Sequence, residues 1–339
     1  MRRWIKVAVT AAAVLGLGGY IAEPYARDWM AVGSACDGAL PRDAVEQLRP
    51  ESAQFTGGES QRIPGLGFYR CSLSFQGEQR WDVPLIGLAA YTGHDDQDRD
   101  LMTAFPDMHL SSHMVLSGGL PGIVDDLGVV RIVMPCPALG KDDEGRPRKM
   151  LVRFEPGEAW KRESEAVHRT AVSLANSASG KLGCGARPLS APQKTASLDW
   201  KKRQRSAVPV ERAAGTGCDW LARAGLARET GWRVMAEVND SAPANSCELR
   251  GKETASGREP AMVFSAWYGD WGNRLTADDG NGERLPLTAV ARCDGEAANF
   301  RIDAAKNTPG LAEADRPRLL KMFAEDQVRR RGCSGLRLY

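Results

Sequence analysis

Apolar positions along the 339-residue chain recur with two periods, helical and strand-like, and the order in which they alternate occurs twice. Leu40, Ala44, Val45 and Leu48 fall at helical spacing with Pro41 in the opening turn, which predicts a short helix. Segments Phe68–Phe75, Trp81–Tyr91, Val129–Met134 and Met150–Phe154 are rich in β-branched and aromatic residues between Gly, Pro and Asp clusters, and predict strands. A longer helix is expected from about Glu158 to Ala178, with Trp160, Val167, Ala171 and Leu174 on one stripe. The second passage is shorter. A helix begins near Asp219, strands are expected at Trp232–Val238, Ser246–Arg250, Ala261–Tyr268, Leu287–Arg292 and Asn299–Asp303, and a closing helix starts with Asp315 as N-cap and Pro317 in its first turn. Residues 189–216 hold prolines and charges with little periodicity and read as a linker. The fold class is therefore α+β: two similar units, each a mostly antiparallel sheet packed with helices.

The cysteines repeat with the pattern. Cys36, Cys71, Cys136 and Cys184 are answered by Cys218, Cys247, Cys293 and Cys333, and their neighbours recur: Cys36-Asp37 with Cys218-Asp219, Gly183-Cys184 with Gly332-Cys333. This is the signature of a tandem duplication, with a first domain over residues 36–188 and a second over 217–339. Two equal sets of four thiols, without Cys-x-x-Cys or Cys/His spacing for zinc, point to disulfides in an oxidising compartment. Four cysteines allow three pairings. The spacing, helix start to strand and then strand to chain end, favours first with second and third with fourth: 36–71, 136–184, 218–247 and 293–333.

Ahead of the first unit, Arg2, Arg3 and Lys6 precede an apolar stretch from Val7 to Ala22 that Glu23-Pro24 ends. With Trp4 and Ile5 its length matches the roughly 17 to 25 residues of a spanning helix. A secretory signal peptide shares the charge pattern but needs small residues at its cleavage site, and cleavage after Ala22 or Ala26 would place Tyr20 or Pro24 where one belongs. Residues 1–35 are read as a cytoplasmic stub, an uncleaved membrane anchor and a short spacer, with everything after Glu23 outside.

Charge narrows the partners. The chain carries 45 basic and 43 acidic residues, and once the three basic residues of the stub are set aside the exported part is close to neutral. A nucleic-acid ligand would call for a basic excess on one face. The runs Lys201-Lys202-Arg203-Gln204-Arg205 and Arg329-Arg330-Arg331 read instead as a solvated linker and a helix C-terminus. Enzyme signatures are absent: no Gly-x-Ser-x-Gly elbow, P-loop, dinucleotide fingerprint or His-Glu-x-x-His occurs. No cofactor is expected.

The copies differ in length between their second and third cysteines, and the excess lies roughly between Thr92 and Gly118. This insertion holds three of the four histidines. Asp96, Asp98 and Asp100 alternate as successive calcium ligands do, but Leu101 stands where an EF-hand needs glycine, so a solvated acidic loop competes with a cation site. His109 and His113, four apart, would share a helix face and could hold a transition metal, though no third ligand accompanies them. In the second copy Trp267, Tyr268 and Trp271 could stack on sugar rings, or fill a core as aromatics usually do.

The Arg-Arg start, the Ala/Gly-rich apolar stretch, Tyr20-Ile21-Ala22-Glu23-Pro24-Tyr25 and Ser34-Ala35-Cys36-Asp37-Gly38-Ala39-Leu40-Pro41 resemble anchored extracytoplasmic proteins of high-GC actinobacteria such as streptomycetes. The resemblance is strongest over residues 1–50, and it implies membrane topology and no activity. The expectation is a membrane-anchored binding or interaction module, with a protein or a cell-wall glycan as candidate partner. The alternative is a cell-envelope hydrolase with its site in the insertion, which would show as a deep pocket of convergent polar groups around His94, His109 or His113.

Overall fold

A computed structural model describes residues 25–339 except 52, 77–81, 106–112, 162, 228–229, 253–260, 278–281, 305–307 and 309. The anchor expected at the N-terminus falls on residues outside that set. Among the described residues no helix is long and apolar enough to cross a membrane.

Residues 25–34 form helix α1, followed by a 3₁₀ turn at Ala35–Gly38 and helix α2, Arg42–Leu48. Strands β1 (Phe55–Ile63), β2 (Phe68–Gln76) and β3 (Asp82–Tyr91) run as an antiparallel meander into helix α3 (His94–Thr103). Then come the short strands β4 (Met114–Val115) and β5 (Gly122–Val124), the hairpin β6 (Val130–Pro135) and β7 (Lys149–Glu155), and helix α4 (Ser164–Leu182). The sheet order is β1-β2-β3-β7-β6-β5-β4. Alternation explains its inner face: Tyr69, Cys71 and Leu73 on β2, Leu88 and Ala90 on β3, Ile132 and Met134 on β6, and Val152 and Phe154 on β7 are all buried. Val167, Ala171, Leu174 and Ala178 of α4 pack into the same core with α2. Each buried Val, Leu, Ile, Met or Phe side chain among them contributes about 1.5–3 kcal/mol by leaving water.

The second unit begins with helix α5 (Trp200–Arg205) and strand β8 (Val208–Pro209), then β9 (Arg233–Glu237), β10 (Ala244–Arg250) and β11 (Ala261–Tyr268). A 3₁₀ turn, Asp270–Thr276, stands where the first unit has α3. The hairpin β12 (Thr288–Cys293) and β13 (Glu296–Ala304), helix α6 (Arg316–Arg331) and strand β14 (Ser334–Leu338) complete it. The order is β14-β12-β13-β11-β10-β9-β8. Trp220, Phe264, Phe300 and Phe323 form its aromatic centre, with the Trp220 and Phe264 rings edge-on at 4.9 Å.

The four disulfides are 36–71, 136–184, 218–247 and 293–333, as the spacing favoured, and no cysteine is free. Strand register carries the repeat further. In the first unit Tyr69, two residues before the second cysteine, pairs with Ala90, Ala90 with Val152, and Val152 with Ile132, four residues before the third cysteine. In the second unit Asn245, two before the second cysteine, leads through Ala266 and Phe300 to Ala289, again four before the third. Three consecutive ladders agree without a slip, although a one-residue shift in any of them would turn inward side chains outward. The units differ beyond this core: β4 and β5 lie past β6, whereas β14 occupies the corresponding edge past β12.

Residues 189–216 are structured rather than an extended linker. Leu198 is buried in the first core, the Asp199 carboxylate caps α5 by accepting from the Lys201 N–H at 2.9 Å, and β8 pairs with β9 at the edge of the second sheet. One buried leucine and one N-cap are too few to make a periodic pattern. The helix expected from Glu158 starts later because Glu163 has non-helical angles, which separates a 3₁₀ turn at Glu158–Lys161 from α4.

Replacing Cys136 and Cys184 together by serine removes the bridge between strand β6 and the end of α4. Guanidinium unfolding should show the first unit destabilised by about 2–4 kcal/mol. An unchanged midpoint would mean that the sheet and helix hold each other without it.

Candidate functional site

The units meet through equivalent elements, since α3 packs against the 3₁₀ turn Asp270–Thr276. Leu101 and Phe105 from the first unit join Ala242, Trp267, Trp271 and Leu275 from the second in a separate apolar cluster. The Phe105 ring stacks on Trp271 at 5.4 Å and meets Trp267 edge-on at 6.1 Å. Trp267 is 3% and Trp271 4% exposed, so these rings serve the interface and do not form an open stacking platform for a sugar. Trp271 Nε1 also donates to the Tyr268 carbonyl at 3.1 Å. Tyr268 keeps one edge on a cavity, while its hydroxyl donates to Gln327 Oε1 at 2.8 Å and the Arg331 guanidinium lies 3.4 Å above its ring. Burial pushes this phenol up to about 12 against the opposing pull of the Arg331 charge.

The acidic series of the insertion does not gather. Residues 94–103 form a helix, in which positions two apart point about 200° from each other, so Asp98 points away from Asp96 and Asp100. Each has its own partner: Arg99 at 3.2 Å from Asp96, His94 at 3.2 Å from Asp98, and Arg131 at 2.7 Å from Asp100. These residues lie on a helix and not on the loop that the alternating spacing suggested. Arg131 is the centre of a buried triad that also takes in Asp125 at 2.7 Å. His109 lies outside the described residues. His113 is fully buried edge-on to Phe105, and burial lowers its pKa to about 3, so its imidazole is neutral. Among the described residues no group of three His, Cys, Asp or Glu could hold a metal ion.

Beside the aromatic interface lies a cleft of about 510 Å³ walled by both units. From the first come His94, Gln97 and Asp98 at the start of α3, with Arg148 and Lys149 at the start of β7; from the second come Tyr268, Asp294, Glu296 and Arg331. The Lys149 ammonium bonds both Glu296 carboxylate oxygens at 2.8 Å and so joins the walls. Arg146 adds a second tie, 2.7 Å from Asp142 and 2.9 Å from Asp270 of the other unit. The hydrogen bond that the imidazole donates to Asp98 raises the pKa of His94 despite partial burial, so this imidazole stays protonated to higher pH than an isolated one.

A polar seam holds the units together on the far side of α3. The Val115 N–H donates to Glu237 Oε2 at 3.0 Å and Arg203 of α5 pairs with the same carboxylate, so β4, β9 and α5 converge on one buried group. Asn239 Nδ2 donates to the Leu120 carbonyl at 2.6 Å. His168 Nδ1 donates to the Ser164 carbonyl at 2.6 Å while its Nε2 accepts from the Ser117 N–H at 3.3 Å, the pattern of a neutral ring, and burial lowers its pKa.

Of the residues singled out in the sequence, His94, Asp98, Tyr268 and Trp271 reach the cleft, whereas Asp96, Asp100, His113 and Trp267 do not line it. Sequence reasoning missed Arg148, Lys149 and Glu296. A signal was present: Arg148 and Glu296 each sit opposite the third cysteine of their copy, and they carry opposite charge. No protein-family model, curated protein or solved structure matches this chain.

Two outcomes follow from the buried charges. Arg131→Met leaves Asp100 and Asp125 buried without their partner and should cost about 3–5 kcal/mol in chemical denaturation; a loss below 1 kcal/mol would show that water reaches the triad. Burial raises the Glu237 carboxyl from its ordinary 4.5 to about 7, against the opposing effects of Arg203 and the Val115 N–H. The native state therefore holds the proton more tightly. The stabilisation is complete below about pH 4.5 and is lost as pH rises to about 7, roughly 3 kcal/mol over that window. The depressed His113 acts in the opposite sense, losing stability as pH falls below 6.5. Subtracting the pH profile of Glu237→Gln from that of the parent isolates the carboxyl, and a flat difference would remove this assignment.

Proposed function

We propose that the protein is a membrane-anchored extracytoplasmic binding module whose ligand enters the cleft between its two units. The carrying observation is the cleft itself, whose walls come from both copies and present charges of both signs beside an apolar floor at Leu101, Ala242 and Trp271. Its volume lies within the roughly 300–1,000 Å³ typical of ligand sites. Four disulfides and no free cysteine support an oxidising compartment, and the basic stub followed by an apolar stretch supports the anchor. Arg148 suits carboxylates, while Asp240 and Asp294 suit amines or hydroxyls. A short polar segment bearing both charges fits this lining better than a broad protein face does, and a peptide-bearing cell-wall fragment has that chemistry.

The test is titration of the full-length protein with muropeptides, chitin oligomers and short peptides, read by thermal shift and calorimetry. A ligand at a hundredfold over its Kd should stabilise by about 2.7 kcal/mol. Arg148→Ala should weaken binding roughly tenfold or more if it is an anchoring contact. No shift from any of the three classes, or binding indifferent to both Arg148→Ala and Glu296→Gln, would sink the reading.

The hydrolase alternative has one observation in its favour, since His94 of the insertion, paired with Asp98, opens on the same cleft. A protonated imidazole there is a proton donor. Release of soluble fragments from purified cell wall, abolished in His94→Gln, would favour this reading over simple binding.

A further inference from the structure

We propose that helix α1 seats the first unit directly on the membrane, with Tyr25, Trp29 and Met30 entering the interfacial layer of a phospholipid bilayer. The helix is exposed at its start and packed against the first core toward its end. Asp28 and Val32 turn inward, as does Ala35 in the turn that follows: Val32 and Ala35 are buried in the first core, and Asp28 accepts from the Phe55 N–H at 3.0 Å and pairs with Arg49 at 2.6 Å. Tyr25 and Trp29, one turn apart, and Met30 beside Trp29 are left 74%, 62% and 58% exposed. Three large side chains exposed within six residues of a short helix form a patch that a water-facing surface does not need.

Three observations identify a bilayer as the occupant. The apolar stretch Val7–Ala22 ends three residues before Tyr25 in sequence, so this patch lies next to the segment read as the anchor. Tyrosine and tryptophan are the residues that favour the headgroup layer, and the Arg42 guanidinium, 3.8 Å over the Trp29 ring, adds a cation suited to lipid phosphate. From Tyr25 to Met30 the helix rises about 8 Å, close to the roughly 5–8 Å depth of one headgroup layer. Because the inner face of α1 is fixed to β1 and α2, the first unit would be held in one orientation close to the lipid, and not on a free stalk.

The inference rests on the anchored reading, and the experiment separates the two. Full-length protein is reconstituted in vesicles of equal phosphatidylethanolamine and phosphatidylglycerol with benzoylphenylalanine replacing Trp29, Met30 or, as an exposed control, Leu127. Intact disulfides, read by mass, certify folding of each variant. Irradiation should give phospholipid adducts at 29 and 30 and none at 127. Retention of the chain after carbonate washing without adducts at 29 or 30 overturns the seating alone, as does cross-linking of those positions to a second copy. Release by carbonate overturns the anchor on which the seating depends.

Discussion

The end of each long helix is tied by a disulfide to the end of a strand in its own sheet, and much of the architecture depends on that tie. Cys136 follows β6 and Cys184 follows α4; Cys293 ends β12 and Cys333 follows α6. For the fourth cysteine to turn back toward the sheet, the residue before it must be left-handed, and Gly183 and Gly332 have φ of 70° and 65°. The Cys184 N–H then reaches the Ser179 carbonyl at 2.9 Å and the Cys333 N–H the Val328 carbonyl at 3.0 Å. With helix and strand fixed together, a slip of one residue would both reverse the inner and outer faces and pull the bridge apart.

Where equivalent elements of two similar units meet, identical elements would set like side chains against each other. Differences between the units avoid this conflict at two places. At the start of the hairpin return strands, the first unit carries Arg148-Lys149 and the second Glu296, so the walls attract through Lys149 and Glu296. Below them, the first unit contributes a helix ending near Phe105 and the second a tight turn carrying Trp271, so a ring meets a ring in a stack of 5.4 Å. Neither contact is available to two unchanged copies.

The cysteine framework, the pairing and nearly all core strands were legible because burial on one face imposes a period of two. Ala261–Tyr268 was expected and is found with those same bounds. Strand β1 was not foreseen, since Phe55–Ile63 is an edge strand of glycine and polar residues held by backbone bonds to β2 alone. Helix α3 was hidden for a related reason: its side chains are mainly charged, and its position is fixed by Asp100 bonding Arg131 and by the Gln97 amide donating to the Lys149 carbonyl at 2.7 Å. A charged side chain at a strand position reads as solvent-facing, and Arg131 is 2% exposed. Sequence offers no sign that a second layer will cover it.

That second layer explains why the cleft is where it is. On the outer face of the first sheet, Arg131 and Leu151 are buried beneath α3, while Arg70 on β2 remains exposed and Arg153 is only partly covered. Helix α3 therefore covers part of a face that is otherwise open. Its interior turns sit on β7 and against the second unit, and its first turn, with His94, Gln97 and Asp98, stands at the margin where cover ends. A charged residue buried under such a helix needs fixed partners, which Asp100 and Asp125 supply to Arg131, and those partners in turn fix the helix. Charged residues at the margin are held less completely and retain access to solvent. The insertion thus converts a plain sheet face into an interior on one side and a polar recess on the other, and the second unit closes the recess into a cleft.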